Sequence, residues 1–346
     1  MAAAPGPILW SNNEYEIRPA KNTDEFRDWW WSSMQTLGWG VGYYDLDTLM
    51  NPSIGYVMLL LIEKSSGKPV GHVSAVINTK STGWVSMFVI DEKHRGKGLG
   101  RKLLKAAEAD FDRCGTKIRG LDGVAEQKPT YERRKFVSSP LGKVKQLVRP
   151  SVAKVPIAES SPSGGLINIC KVPRSLLAQS DEVNTGFRRP ALWSDEHLFN
   201  RKDIHGVALV TREDPADLED LRAWAVARRY AGGIKIGPVY ASDKESAKAV
   251  LTATMKLATP EAIKQVEMPN SASNRWSIAE VTNEASLAAE VWGGNSEAVE
   301  LFEELGWVSA GYEYYRMWHD GKAPVAQSAG GASLRGAYAM FDAATG

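Results

Sequence analysis

Cysteine is scarce in this sequence: Cys114 and Cys170 are the only two in 346 residues. They supply neither a disulfide framework nor a zinc-ligand spacing, and they suit a reducing compartment. Long apolar runs are also missing. The longest, Tyr56 to Ile62, falls far short of the roughly 20 residues that cross a bilayer. The opening MAAAPGPILW lacks the basic start and extended apolar core of a signal peptide. The expectation is cytoplasmic residence with no membrane partner. Nor is there an excess of charge of one sign, with 42 Lys plus Arg against 41 Asp plus Glu. That balance argues against a general nucleic-acid or membrane-surface binder. No basic or acidic tract marks a macromolecular partner. What remains is an ordinary globular composition, 43% hydrophobic and 24% charged, long enough for about two domains.

The informative stretch is Val85 to Ala107. Val85 to Ile90 reads as a buried strand, Asp91 to Gly100 as a loop, and a helix begins within that loop. Gly96, Gly98 and Gly100 remove side chains, so backbone N–H groups can approach an anion closely. The helix presents its positive dipole end to the same place, with Arg95, Lys97, Arg101 and Lys102 adding formal charge. A phosphate-bearing ligand is the natural guest. The spacing is neither that of a Walker A loop nor of the dinucleotide G-x-G-x-x-G.

Along the chain, Tyr15 to Pro19 is expected as a first strand, followed by a helix capped near Asn22 to Glu25 and running through Trp29-Trp30-Trp31 to Gly38. Strands are expected over Tyr56 to Glu63, Val70 to Asn78 and Thr82 to Ile90, the first two joined by a hairpin turn at Ser65 to Lys68. A helix stopped by Gly115, a strand over Lys117 to Val124 and a short helix entered at Pro129 follow. From about Gly142 to Asn184 the sequence reads as a long connection rich in Ser, Pro and Lys. Beyond it are expected a strand (Gly206 to Thr211), a helix (Asp214 to Tyr230) and a strand (Ile234 to Ala241). Next come a helix opened by a capping box at Ser242 to Glu245, a strand (Ile263 to Met268) and a helix (Asn295 to Gly306). Trp307 to Trp318 reads as closing strand structure and Leu334 to Phe341 as a docking strand.

Arg95-Gly96-Lys97-Gly98-Leu99-Gly100 resembles the Arg/Gln-x-x-Gly-x-Gly/Ala loop of the GNAT superfamily of acyl-CoA-dependent N-acyltransferases, and strand, loop and helix stand in the family's order. Asn295-x-x-Ala298-x-x-x-Phe302-x-x-x-Gly306-Trp307 is similar to a late signature of the same family. The chain as a whole resembles a tandem subgroup. The implied fold is α/β (α+β): two GNAT-like domains, each a mixed, mainly antiparallel central sheet flanked by helices. The implied units are a catalytic domain over residues 12–150, a linker over 151–185, a degenerate GNAT-like domain over 186–320 and a tail over 321–346.

The resemblance implies acetyl-CoA as acyl donor and no metal. Phe88, Val89, Ile90, Arg95, Gly96, Lys97, Gly98, Leu99, Gly100 and Arg101 are the implied coenzyme A contacts. A backbone N–H of Phe88 or Val89 polarises the acyl carbonyl. At the late signature the first unit keeps Tyr131, which matches the tyrosine that protonates the departing thiolate, but has Val124, Gln127 and Lys135 where Asn, Ala and Gly stand in the pattern. The second unit keeps that framework, has Phe302 in place of the tyrosine and lacks the glycine loop, so it is expected to be silent. For the general base Glu126, Asp122, His72 and a water chain all stay open, and for Asp122 so does a structural pairing with an arginine. His94 adjoins the loop. Trp30, Trp31, Trp39, Tyr43 and Tyr44 are expected either to line the acceptor pocket or to pack in the core. The implied activity is N-acylation of a small-molecule amine. Protein lysine or N-terminal acetylation and a non-catalytic acyl-CoA-binding role are the alternatives, and the oligomeric state is not read from the sequence.

Overall fold

The computed structural model describes residues 7–50, 52–56, 58–150, 164–258 and 286–346. Its strands join in one sheet of fourteen. The first half holds β1 (Trp10–Ser11), β2 (Tyr15–Pro19), α1 (Thr23–Leu37), α2 (Asp45–Met50), β3 (Met58–Glu63), β4 (Lys68–Ile77), β5 (Thr82–Ile90), α3 (Leu99–Arg113), β6 (Ile118–Gly123), α4 (Lys128–Glu132) and β7 (Phe136–Pro150). The second holds β8 (Gly165–Asn168), α5 (Arg174–Thr185), β9 (His205–Val210), β10 (Leu221–Tyr230), β11 (Gly233–Ala241), α6 (Lys244–Leu257), β12 (Ser286–Trp292), α7 (Ser296–Glu304), β13 (Val308–His319), α8 (Ser333–Gly336) and β14 (Ala337–Ala339).

Local chemistry accounts for the helix ends. Asn22 Oδ1 accepts from the Glu25 N–H at 2.9 Å to start α1, and Gly38 ends it at φ 67°. One face of α3, carrying Leu99, Leu103, Leu104, Ala107 and Phe111, packs on Leu59, Leu61, Val73, Ala75 and Val85 of the sheet. Truncating a buried ring such as Phe111 to alanine costs about 3–5 kcal/mol.

Two features of the sheet position the site. β5 and β6 run parallel for only three pairs, Thr82↔Ile118 to Trp84↔Gly120, and then part. The second half repeats this: β11 and β12 pair from Gly233↔Ser286 to Lys235↔Ala288. There, however, β14 enters the gap, its Ala339 opposite both Val239 and Val291. The halves also exchange their last strands. β13 lies between β6 and β7, and β7 pairs with β12 from Val144↔Trp292 to Pro150↔Ser286.

Several expectations are corrected. Asp214 to Tyr230 is not a helix: a short 3-10 turn leads into β10. Ala and Arg in Leu221 to Tyr230 favour helix in isolation, but β9 and β11 pair along both edges of this strand. Its alternation is hidden because both faces are apolar: Trp224 and Val226 enter one core, and the small Ala223, Ala225 and Ala227 make room for α6 on the other. The stretch read as a connection contains the end of β7, β8 and α5. The α6 cap is Asp243 rather than Ser242, its Oδ1 accepting from Ser246 N–H at 2.8 Å. Leu334 to Phe341 is a turn of helix followed by a three-residue strand. Ile263 to Met268 lies outside the described residues. Among the described residues no helix is long and apolar enough to cross a membrane.

Candidate active site

The site begins at an irregularity in β5. His72 pairs with Val89 and Ser74 with Ser86, so Met87 and Phe88 together oppose Val73. Such a bulge releases the backbone from the regular ladder. Met87 adopts φ 48°, a left-handed conformation that strains a side-chain-bearing residue. It is held from two sides: Trp30 Nε1 donates to its sulfur at 3.0 Å and His72 Nδ1 bonds its carbonyl at 3.1 Å. His72 is buried, stacked on Phe26 at 4.1 Å. Burial pushes its pKa down to about 3, so it stays neutral.

Past β5, Gly96 and Gly98 take φ 78° and 73°, turning successive N–H groups toward one side. Gly98 is the N-cap of the 15-residue α3 and makes no side-chain cap bond. The helix's first N–H groups therefore stay available to an anion. At Gly100 a Cβ would lie 3.1 Å from the Phe88 ring. The loop forms one wall of a cleft of about 1070 Å³ between the ends of β5 and β6. Arg95, Arg101, Lys105, Arg133 and Arg134 line it against one carboxylate, Glu108, which pairs with Arg134 at 2.8 Å. The arrangement suits an extended ligand with phosphates at the loop.

At its inner end the cleft meets a second cavity of about 100 Å³, the two sharing Trp39, Phe88, Val124 and Gln127. Tyr131 lines this smaller cavity. Its ring is fitted against Gly123, where a Cβ would come within 2.9 Å of it, and lies edge-on to Phe136. Burial pushes the phenol well above its ordinary pKa, so Tyr131 remains a proton donor at neutral pH. The rest of the lining includes Asp122 from β6, Glu290 from β12, Tyr314 from β13 and Asp342 to Ala344 after β14.

Residues 23–135 match the profile of the acetyltransferase (GNAT) family. That stretch of the first half is a GNAT-family domain. The chain is 26% identical over 211 residues to a holothin acyltransferase of Pseudoalteromonas sp. (strain SANK 73390), a match covering 60% of this chain and 63% of that protein. Its fold is similar to that of a candidate acetyltransferase from Pyrococcus horikoshii, with TM-score 0.65 and 15% identity over 97% and 98% of the two chains. It is also similar to a tandem GNAT protein from the clavulanic acid biosynthesis pathway, with TM-score 0.57 and 15% identity over 88% of this chain and 98% of the other. A GNAT fold implies acyl-CoA as donor.

Of the GNAT loop residues named from sequence, all but Lys97 border the large cleft. Lys97 turns away, its Nζ donating to the Tyr15 hydroxyl at 3.0 Å. His94 borders the cleft, its Nδ1 bonded to the same hydroxyl at 3.0 Å. Among the five aromatic candidates the structure brings only Trp39 to the cavity walls. Trp30 and Trp31 are buried in the core, and Trp31, Tyr43 and Tyr44 meet edge-on in series. Glu126 is exposed on a 3-10 turn and borders neither cavity. Asp122 borders the small one, but its carboxylate is gripped by Arg316, Nε to Oδ1 at 3.0 Å and Nη2 to Oδ2 at 2.6 Å.

Sequence reasoning missed Arg133, Arg134 and Glu290. The basic pair stands two and three residues after Tyr131. Glu290 is a lone charge inside the apolar strand Ser286-Leu-Ala-Ala-Glu-Val-Trp292, the pattern that singles out a paired or functional group.

In the second half Asp243 accepts from its own helix start and from Arg222 at 3.0 Å, β14 occupies the gap between strands, and Phe302 is buried edge-on to Trp307.

Proposed function

We propose that the protein transfers an acyl group, with acetyl as the reference donor chain, from a coenzyme A thioester to a primary amine of a small molecule, at one site per chain in the first half. The observation that carries this reading is the meeting of two unlike cavities at Trp39, Phe88, Val124 and Gln127: a long cationic cleft and a small chamber bearing Tyr131. The acyl thioester supplies an activated carbonyl and a thiol leaving group. The left-handed glycines, the open start of α3 and Arg95 and Arg101 bind its phosphates. The β5 bulge leaves a backbone N–H at Phe88 or Val89 to polarise the carbonyl. Tyr131 donates its proton to the departing sulfur.

Support for a small acceptor comes from the chamber, which measures only about 100 Å³. Residues 342–344 border it, and an extended peptide needs an open groove. The likeness to a holothin acyltransferase supports acyl transfer in general. The test is an amine-library screen by thiol release, using acetyl-CoA and longer acyl-CoAs. Turnover of small primary amines by the wild type and its loss in Tyr131→Phe are expected. Turnover of peptide amines alone contradicts the small-acceptor reading.

A further inference from the structure

Glu290 belongs to the second half, yet it lines the first half's chamber together with Tyr131. It is 4% exposed, and a carboxylate so buried must be held by donors. Lys235 Nζ donates to Oε1 at 2.8 Å and the Ala343 N–H donates to Oε2 at 2.5 Å. Lys235 is shared with Asp342 at 2.7 Å, which also accepts from Arg228 Nη2 at 2.5 Å. Tyr312 and Tyr314 of β13 also lie near it, and Asp122 and Tyr131 line the same chamber. With one such donor on each oxygen, Glu290 keeps acceptor capacity on both.

The other two carboxylates of the chamber differ. Asp122 is occupied by the Arg316 fork, and Asp342 accepts from both Arg228 and Lys235. Among the described residues Glu290 takes no bond from an arginine. Burial, opposed by Lys235 and assisted by Asp342, pushes its carboxyl up to about 7. That places it where a group both accepts and releases a proton at neutral pH.

We propose that Glu290, supplied across the half-to-half contact, is the catalytic base of the first half's site, and that the acceptor is a primary aliphatic amine that enters as its ammonium. This rests on the acyltransfer reading above. The ammonium gives one proton to the Glu290 carboxylate. The freed nitrogen lone pair forms the bond to the acyl carbon, the carbon–sulfur bond breaks with its electron pair on sulfur, and the sulfur takes the Tyr131 hydroxyl proton. The Tyr131 oxygen recovers a proton from the same nitrogen, leaving the amide, and Glu290 returns its proton to water. Asp342 and the Ala343 N–H act as positioning groups.

The experiment follows thiol release from acetyl-CoA with a panel from n-propylamine to phenethylamine, measuring kcat against pH for wild type, Glu290→Gln and Glu290→Asp. Acetyl-CoA binding is read in parallel by calorimetry. The wild type is expected to show an acid limb in kcat near pH 7. Glu290→Gln should lower kcat by roughly 10²- to 10⁴-fold, abolish the limb and leave acetyl-CoA affinity within about twofold. Glu290→Asp should retain the limb with reduced kcat. A wild-type profile without the limb, or Glu290→Gln with wild-type kcat, overturns the proposal whether or not the variants fold equally well. Bound acetyl-CoA with no amine accepted overturns the amine assignment, whereas loss of acetyl-CoA binding by the wild type overturns the acyltransfer reading itself.

Discussion

Arg316 of β13 and Asp122 of β6 are direct cross-strand partners, joined by two parallel hydrogen bonds with both side chains fully buried. The guanidinium lies 5.0 Å from the Trp84 ring and 5.1 Å from the Trp292 ring, one from each half, and donates its remaining edge to Gln327 at 2.8 Å. This pair stitches the exchanged strand to the first half. Arg316→Met leaves Asp122 as a buried charge without its partner and should destabilise by about 3–5 kcal/mol, read as a lower midpoint in urea. A loss below about 1 kcal/mol contradicts a structural role for the pair.

Tyr131 carries a different prediction because its hydroxyl is the only atom that Tyr131→Phe removes. The variant should fold as the wild type does, bind acetyl-CoA unchanged and lose kcat by roughly 10²- to 10⁴-fold. Unaltered kcat in steady-state thiol release assigns the leaving-group proton elsewhere.

His72 predicts a pH dependence of stability. Its folded-state pKa, about 3, lies below the ordinary 6.5, so the unfolded chain binds the proton more readily. The stability it contributes is present above pH 6.5 and is lost as pH falls toward 3, at about 1.4 kcal/mol per pH unit once the unfolded imidazole is charged. Urea unfolding of wild type and His72→Gln between pH 7 and 5 should show a flatter dependence in the variant. Parallel curves contradict the assignment.

Lys135 stands four residues after Tyr131 at φ 64°, as Gly306 stands four after Phe302 at φ 83°. The first half thus retains the left-handed turn without the residue that adopts it freely. Left-handed backbone costs a side-chain-bearing residue about 1–2 kcal/mol, partly offset by the extra chain entropy of glycine. Lys135→Gly should raise stability by up to about 1 kcal/mol in denaturant titration, with activity unchanged. A loss of stability contradicts the strain.

The loop and its helix were legible because their chemistry is local: glycines at Gly96 and Gly98, bases on either side, and apolar residues of α3 at helical spacing. The meander β3 to β5 was legible for the same reason, through short apolar runs punctuated by turns. β10 was not, because Ala223 to Ala227 carry a two-residue period between two apolar faces, and only pairing with β9 and β11 decides for strand. The filling of the second gap by Ala337 to Ala339, the exchange of β7 and β13, and the presence of Glu290 in the chamber lined by Tyr131 all join residues far apart in sequence. No window of sequence contains both partners. The aromatic cluster left pocket and core both open, since a run of three tryptophans marks burial without saying which surface is buried.

The proposed reaction requires one acyl-CoA site per chain, built on the left-handed glycine loop of the first half. A Cβ at Gly98 meets nothing within 4 Å, so Gly98→Asp adds bulk and negative charge to the cleft lining at the cost of a left-handed side-chain-bearing residue, about 1–2 kcal/mol. The decisive measurement is calorimetric titration of coenzyme A into wild type and Gly98→Asp. One molecule should bind per wild-type chain and none detectably to the variant, with the thermal midpoints within a few degrees. Two molecules per chain, or unchanged affinity in Gly98→Asp, would contradict a single site built on this loop.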